Sequence, residues 1–280
     1  MGETITARQA GIVEADLNYL IQTGARPSRY SYSREPRPGV QPHGDAYGTR
    51  RMPIFNARVT APPGGLSLHC NGFELHQHSS ELSDFSDPVA IESIYYPESE
   101  RLLKHLTGAR RVIIFNHTLR DSDDARASSV HEPVRVVHND LTFATGPRIV
   151  LQHAPAGDVD EWVNGRTAVV NLWRPIGAPV ESLPLAMCDS RSIAPNDPVA
   201  TDLIRKHEVI EVFTFAFNAQ HRWYYFRHMT PSEVLLFKIY DSSNDAGVAR
   251  LTAHTAFDDP SSPADAAPRR SIELRSLLLF

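Results

Sequence analysis

The run Val136-Val137-His138-Asn139-Asp140 sets an imidazole and a carboxylate two positions apart. In an extended segment, side chains at i and i+2 point to the same face, so His138 and Asp140 look out together from one strand end. They make up two thirds of a 2-His-1-carboxylate facial triad, the donor set that binds Fe(II) and leaves three coordination positions open. One of these takes O2, and a bidentate 2-oxo acid takes the other two. The pair alone is a common pattern, equally at home as a surface His and Asp at a strand end. What sets it apart is a third candidate ligand, His254, far along the chain in Leu251-Thr252-Ala253-His254-Thr255-Ala256-Phe257, with a cationic strand after it.

That strand reads Pro268-Arg269-Arg270-Ser271-Ile272-Glu273-Leu274-Arg275-Ser276-Leu277. Period 2 puts Arg269, Ser271, Glu273 and Arg275 on one face and Arg270, Ile272 and Leu274 on the other. Inside a barrel, an arginine fork can hold the distal carboxylate of 2-oxoglutarate bidentately, and Ser271 can add a hydrogen bond. Lys238 is an alternative anchor, set against the reading as a strand lysine whose stem is buried. Arg174, after Trp173 at a strand end, either contacts an anionic substrate or the cosubstrate, or forms an ordinary surface ion pair. His221 and His228 flank Trp223-Tyr224-Tyr225-Phe226 and are alternative third ligands, although no arginine strand follows them directly. His69, His76 and His78 lie near Cys70, and the polar surroundings of His76-Gln77-His78 favour surface histidines.

The elements that must position these groups are mostly short β-type runs separated by turn residues. Candidate strands are Arg111 to His117, Pro133 to Asn139, Thr167 to Trp173, Pro184 to Cys188, Glu208 to Phe217, Trp223 to Phe226, Val234 to Tyr240, Val248 to His254 and Ser271 to Phe280. Such a series points to a double-sheet barrel or sandwich. Residues 7 to 23 read as a helix with Ile12, Ala15, Leu20 and Ile21 roughly on one face. From Gly24 to Gly65 the prolines predict an extended arm with few regular elements, wrapping this barrel or a neighbour's, so the oligomeric state is left open. A helix is expected over Pro97 to Thr107, stopped by Gly108, and another within Gly146 to Asn164. The expected organisation is a single domain over residues 1–280: N-terminal helices and arm packing on the core over 1–108, and the β core over 109–280.

Composition narrows the function classes. The chain has 280 residues, 41% of them hydrophobic, and a mean hydropathy of −0.30, which suits one sizeable buried core. With 28 Lys plus Arg against 33 Asp plus Glu the net charge is −5, so the basic surface needed for nucleic-acid binding is missing. Cys70 and Cys188 lack CxxC spacing and are too few for a disulfide scaffold, which makes a reducing, cytoplasmic setting the expectation. No apolar run approaches the roughly 18 residues of a membrane span. Met1-Gly2-Glu3-Thr4-Ile5-Thr6 formally fits the N-myristoylation pattern, but acidic Glu3 beside the glycine argues against it. GxGxxG, GxxxxGK[ST] and GxSxG are missing, so nucleotide-binding α/β folds and α/β hydrolases lack sequence support.

Several runs in shared order resemble one family. They are Arg111-Val112-Ile113-Ile114-Phe115-Asn116-His117, His138-Asn139-Asp140, Asn171-Leu172-Trp173-Arg174-Pro175, Pro184-Leu185-Ala186-Met187-Cys188-Asp189, Phe237-Lys238-Ile239-Tyr240-Asp241-Ser242, His254-Thr255-Ala256-Phe257 and Arg269 to Arg275. The family is that of microbial and fungal secondary-metabolite oxygenases, including the cephem methoxylation component and gibberellin-desaturase-like proteins. The resemblance spans about residues 90 to 280 and implies a mainly β protein with flanking helices around a double-stranded β-helix (jelly-roll) core. By position it implies Fe(II) on His138, Asp140 and His254, and 2-oxoglutarate with O2 as cosubstrates. Either Arg269 or Arg275 would hold the 2-oxoglutarate carboxylate. The implied activity is hydroxylation, desaturation or oxidative cyclisation of a small secondary metabolite or amino-acid-derived compound, with release of succinate and CO2. The competing readings are a cupin-like metal dioxygenase independent of 2-oxoglutarate and a non-catalytic small-molecule-binding barrel.

Overall fold

The computed structural model describes residues 11–30, 47–122, 132–205 and 208–280. The β-type runs assemble into two sheets. The larger comprises, in spatial order, β1 (Ile12–Leu20), β3 (Tyr47–Asn56), β11 (Trp223–Tyr225), β8 (Leu185–Cys188), β13 (His254–Ala256), β6 (His138–Asn139), β10 (Val209–Phe215), β9 (Pro198–Ile204) and β2 (Ser28–Tyr30). The smaller runs β4 (Phe73–Gln77), β12 (Glu233–Asp241), β7 (Thr167–Pro175), β14 (Arg270–Leu279) and β5 (Arg111–Asp121). Pairing is antiparallel except between β3 and β11 and between β2 and β9.

The smaller sheet is buried on both faces at its centre. Every residue of β7 and β12 is buried, as their near-continuous apolar sequences require. Alternation divides β7 into two sets. Ala168, Val170 and Leu172 pack with Ile272, Leu274, Tyr95 and Leu103 against the helix Tyr96–Thr107. Val169 and Trp173 turn the other way and pack with Phe73, Met187, Tyr224, Phe237 and Leu277 between the sheets. A third cluster, including Leu17, Tyr19, Met52, Val137, Phe215 and Trp223, underlies the larger sheet. Burying such a side chain contributes roughly 1.5–3 kcal/mol, so the site's walls are also main stabilising layers.

The helix Tyr96–Thr107 ends at Gly108, whose φ of 72° is the left-handed conformation glycine adopts without strain. Other segments differ from the sequence expectation. The stretch expected as a helix over 7 to 23 contains β1, because Ala15, Leu17 and Tyr19 are buried in alternation with Asp16 and Asn18 and pair with β3; residues 7–10 lie outside the described residues. The expected extended arm contains β2 and β3. Pro53 is tolerated because β3 pairs with β11 only from Ile54 onward, so its missing N–H faces no partner there. The rest of the arm, 31–46, and the myristoylation pattern lie outside the described residues.

The expected strand Pro133 to Asn139 shortens to His138–Asn139, with Val136 adding a single bridge to Asn18. That expected over Val248 to His254 is replaced by His254–Ala256. Before it, Ala249, Thr252 and Ala253 bond to His69, Lys238 and Cys188 on separate segments, so no ladder forms. The expected helix over 146 to 164 is two helices, Gly146–His153 and Val159–Asn164, divided around Pro155 and Gly157. Strands β4 and β9 were not anticipated; β4 includes His76, expected in a loop.

Candidate active site

β6, β10 and β13 lie side by side in the larger sheet, and His138 is directly opposite both Thr214 and His254. Facing residues of antiparallel strands share a sheet face, so the two imidazoles emerge together, with ring centroids 4.3 Å apart. Asp140 follows immediately after β6. Between the two ligands, Asn139 donates from its Nδ2 to the carbonyls of Leu141 and of Ile239 on β12, which ties the turn after β6 to the smaller sheet. That fixes the bend that brings Asp140 back beside His138.

Asp140 Oδ1 is 3.6 Å from His138 Nε2 and 4.0 Å from His254 Nε2. Among the described residues, His138, Asp140 and His254 are the group whose donor atoms gather closely enough for a metal, all within 4.8 Å of one another. The donor set suits Fe(II). His138 Nδ1 donates to the Val136 carbonyl at 2.7 Å, which leaves the Nε2 lone pair facing the cluster. Burial, with His254 adding to it, holds His138 well below the usual histidine range; burial also lowers His254. Burial alone would raise Asp140, but Arg275 and the two histidines outweigh it and hold the carboxyl well below its usual range. Two neutral imidazoles and one carboxylate are the protonation states a divalent ion requires.

The other wall is the smaller sheet. Arg275 of β14 pairs with Asn171 of β7, Glu273 with Trp173, and Ser271 with Arg120 of β5. Arg269, Ser271, Glu273 and Arg275 therefore share the face turned toward the triad. The two arginines differ in their partners. Arg275 donates to Asp140, Glu273, Asn116 and Thr118. Arg269 is 3% exposed; its Nη1 donates to the Leu183 carbonyl and its guanidinium lies over the Trp173 ring. Its Nε and the Ser271 hydroxyl are buried with no hydrogen-bond partner. Burial, and then Arg120 nearby, push the Arg269 guanidinium down to about 9.

The remaining sequence candidates lie elsewhere. Arg174 is on the opposite face of β7 from Trp173 and Asn171, buried with Tyr95, His78 and the carbonyls of His78 and Pro231. The assignment of substrate binding to it is corrected: strand alternation turns it away from the triad. Lys238 pairs with Asp241 and the Ala249 carbonyl. His221 bonds Asp197 and Tyr19 beneath the larger sheet. Sequence reasoning missed the role of Asn171, whose Nδ2 donates to Asp140 Oδ2 at 3.0 Å. Its signal was a lone amide inside the apolar run Thr167–Pro175. It also missed Arg29 on β2, close enough to the triad for its charge to disfavour protonation of His138; Arg120 does the same at His254.

Two histidines and a carboxylate between the facing sheets of a β protein define a class, the non-haem iron oxygenases. The profile of a family described as "Oxidoreductase/YMDC permease-like domain" matches residues 17–279. The hydroxylase/desaturase efuI of Hormonema carpetanum is 31% identical over 266 residues, covering 85% of this chain and 88% of its own. The Fe(II)/2-oxoglutarate-dependent dioxygenase nvfI of Aspergillus novofumigatus is 29% identical, covering 95% and 96%. The solved structure of the iron and α-ketoglutarate-dependent endoperoxidase NvfI superposes with a TM-score of 0.83 at 26% identity, over 96% of this chain and 98% of that one. The chain belongs to this family of Fe(II)- and 2-oxoglutarate-dependent dioxygenases and hydroxylase/desaturases, and has its jelly-roll fold. It is an enzyme that oxidises a small secondary metabolite, with Fe(II), 2-oxoglutarate and O2 as cofactor and cosubstrates. No helix among the described residues is long and apolar enough to cross a membrane.

Proposed function

We propose that His138, Asp140 and His254 hold the Fe(II), and that Arg269 with Ser271 holds the distal carboxylate of 2-oxoglutarate. The observation that carries the metal assignment is the convergence of donor atoms from two histidines and one carboxylate within 4.8 Å, with burial disfavouring protonation of both imidazoles and Arg275 favouring the ionised carboxylate. For the cosubstrate it is the buried, unpartnered Nε of Arg269 beside the unpartnered Ser271 hydroxyl. An isolated buried cation is costly, and a carboxylate arriving at Arg269 removes that cost while forming charge-assisted hydrogen bonds. Arg120, opposite Ser271 on β5, adds positive field at the same end. This arrangement supports dependence on 2-oxoglutarate over a cupin-like enzyme that uses none.

When bound, the iron supplies O2 activation coupled to decarboxylation of 2-oxoglutarate to succinate and CO2, and thereby oxidation of a C–H bond. The chain's residues determine geometry. Phe237, whose ring is 4.8 Å from His254, and the apolar side chains between the sheets exclude water. The names hydroxylase/desaturase and endoperoxidase among the relatives support hydroxylation, desaturation or oxidative ring formation as the outcome. A cytoplasmic setting belongs to the same proposal, supported by two unbridged cysteines.

The test is anaerobic titration of apoprotein with Fe(II) and then 2-oxoglutarate, following the weak visible charge-transfer band of the chelated iron. The band is expected in the native protein and lost in His254→Ala. A band of undiminished intensity in His254→Ala would remove that residue from the ligand set.

A further inference from the structure

The carboxylate ligand is held by a side chain that the fold has fully occupied. A guanidinium has five N–H donors, and those of Arg275 are all used. Nε donates to Asp140 Oδ2 at 3.0 Å, and Nη2 to the same oxygen at 2.8 Å and to Glu273 Oε1 at 2.9 Å. Nη1 donates to Thr118 Oγ1 at 3.2 Å and Asn116 Oδ1 at 3.4 Å. Asp140 Oδ2 also accepts from Asn171 Nδ2, so it receives three N–H groups, while Oδ1 faces the histidines. Arg275 thus has no donor left for a cosubstrate, and Asp140 has one oxygen left for a metal.

We propose that Arg275 and Asn171 are positioning residues that restrict Asp140 to binding the metal through Oδ1 alone, so that the position 2-oxoglutarate needs is not taken by the second carboxylate oxygen. The inference rests on the metal assignment above. It separates the two arginines that face the triad from β14 and its approach into an anchor, Arg269, and a clamp, Arg275. Three strands build the clamp: β14 contributes Arg275 and Glu273, β7 contributes Asn171, and β5 contributes Asn116 and Thr118. Fixing the guanidinium from so many sides limits its rotamers, as precise orientation of a metal ligand requires.

The experiment measures metal binding in the absence of O2 and substrate, titrating Fe(II), or Mn(II) with detection by electron paramagnetic resonance, into native protein, Arg275→Gln, Arg275→Lys and Asn171→Ala. Outer partners of metal ligands are worth about 10- to 100-fold in affinity. Arg275→Gln is expected to weaken metal binding by about that factor and Arg275→Lys to recover part of it. In Arg275→Gln the charge-transfer band with 2-oxoglutarate should also shift, because a freed Oδ2 competes for the iron. Unchanged metal affinity with weakened 2-oxoglutarate binding would overturn the clamp and make Arg275 the anchor. A lowered melting temperature with unaltered metal affinity would reduce it to a structural residue. If Arg275→Gln does not fold, Asn171→Ala decides: several-fold weaker metal binding upholds the proposal, and native affinity overturns it. Failure of the native protein to bind either metal would instead refute the triad assignment, whatever the variants do.

Discussion

Arg269 and Arg275 lie on the same face of the same region of chain, both turned toward the triad, yet their surroundings are opposite. Arg275 has two carboxylates and two further oxygen acceptors around it; Arg269 has one carbonyl, an aromatic face and an unused Nε. The difference teaches that periodicity assigns a side chain to a face, whereas the acceptors already present there assign its task. A cation satisfied by the protein supports structure, and one left unsatisfied in a buried wall is prepared for an anion. The contrast generates experiments in which the two arginines respond differently.

The largest expected effect is on cosubstrate binding. Truncating one side of a buried, hydrogen-bonded charge pair costs about 2–5 kcal/mol, so Arg269→Ala should weaken 2-oxoglutarate binding by about 30-fold to several thousand-fold. Affinity for the metal alone should stay close to native, because Arg269 touches no ligand of the triad. Isothermal titration with Mn(II) and then 2-oxoglutarate reads the two quantities separately. Native 2-oxoglutarate affinity in Arg269→Ala would break the comparison at once.

Melting of the apoproteins should differ in sign. Arg275→Met leaves Asp140 and Glu273 buried without their shared cation, a change costing about 3–5 kcal/mol, or on the order of 10 °C in a chain of this size. Arg269→Met removes a buried cation that no carboxylate hydrogen-bonds and that Glu273 favours only through its charge, so the apoprotein should melt about 2–4 °C higher, as expected for roughly 1 kcal/mol. Calorimetry of both variants, stripped of metal, makes the test. Two decreases of similar size would mean that Arg269 has a structural partner equivalent to that of Arg275.

Much of this arrangement is legible in the sequence, for identifiable reasons. His138, Asp140 and His254 are readable because a two-residue spacing and a late histidine need only strand geometry to converge. Period 2 likewise puts Arg269, Ser271, Glu273 and Arg275 on one face, since β14 is long and pairs with β7 in unbroken register, its register shift against β5 coming only after Arg275. Choosing between the arginines requires their acceptors, and Asn116, Thr118, Asn171 and Asp140 come from segments that only the fold brings together. Arg174 misleads because it follows Trp173 directly; alternation sends neighbours to opposite faces, and Trp173 is the one turned inward. Strand β1 misleads because Ile12, Ala15, Leu20 and Ile21 satisfy a loose helical spacing, while pairing with β3 selects the alternating set Ala15, Leu17 and Tyr19. The two ligand strands are shorter than their apolar runs because their ends are set by hydrogen bonds to distant segments.

The smallest effect tests how far the anchor extends beyond Arg269. Ser271 is buried at 1% exposure with its hydroxyl unpartnered, and it precedes Glu273, where the protein's own pairing begins. One neutral hydrogen bond contributes about 0.5–1.5 kcal/mol, so Ser271→Ala should weaken 2-oxoglutarate binding by about 2- to 10-fold. Metal affinity should be native, and the melting temperature unchanged or slightly raised, because the variant removes a buried polar group that has no partner. A double-mutant cycle with Arg269→Ala sharpens the point. If both residues grip the same carboxylate, the effect of Ser271→Ala should shrink in the Arg269→Ala background, since a cosubstrate that has lost its cation no longer holds its distal end against the serine. Full additivity would mean that the two side chains bind different groups, and the boundary between anchor and clamp on β14 would then lie between Arg269 and Ser271.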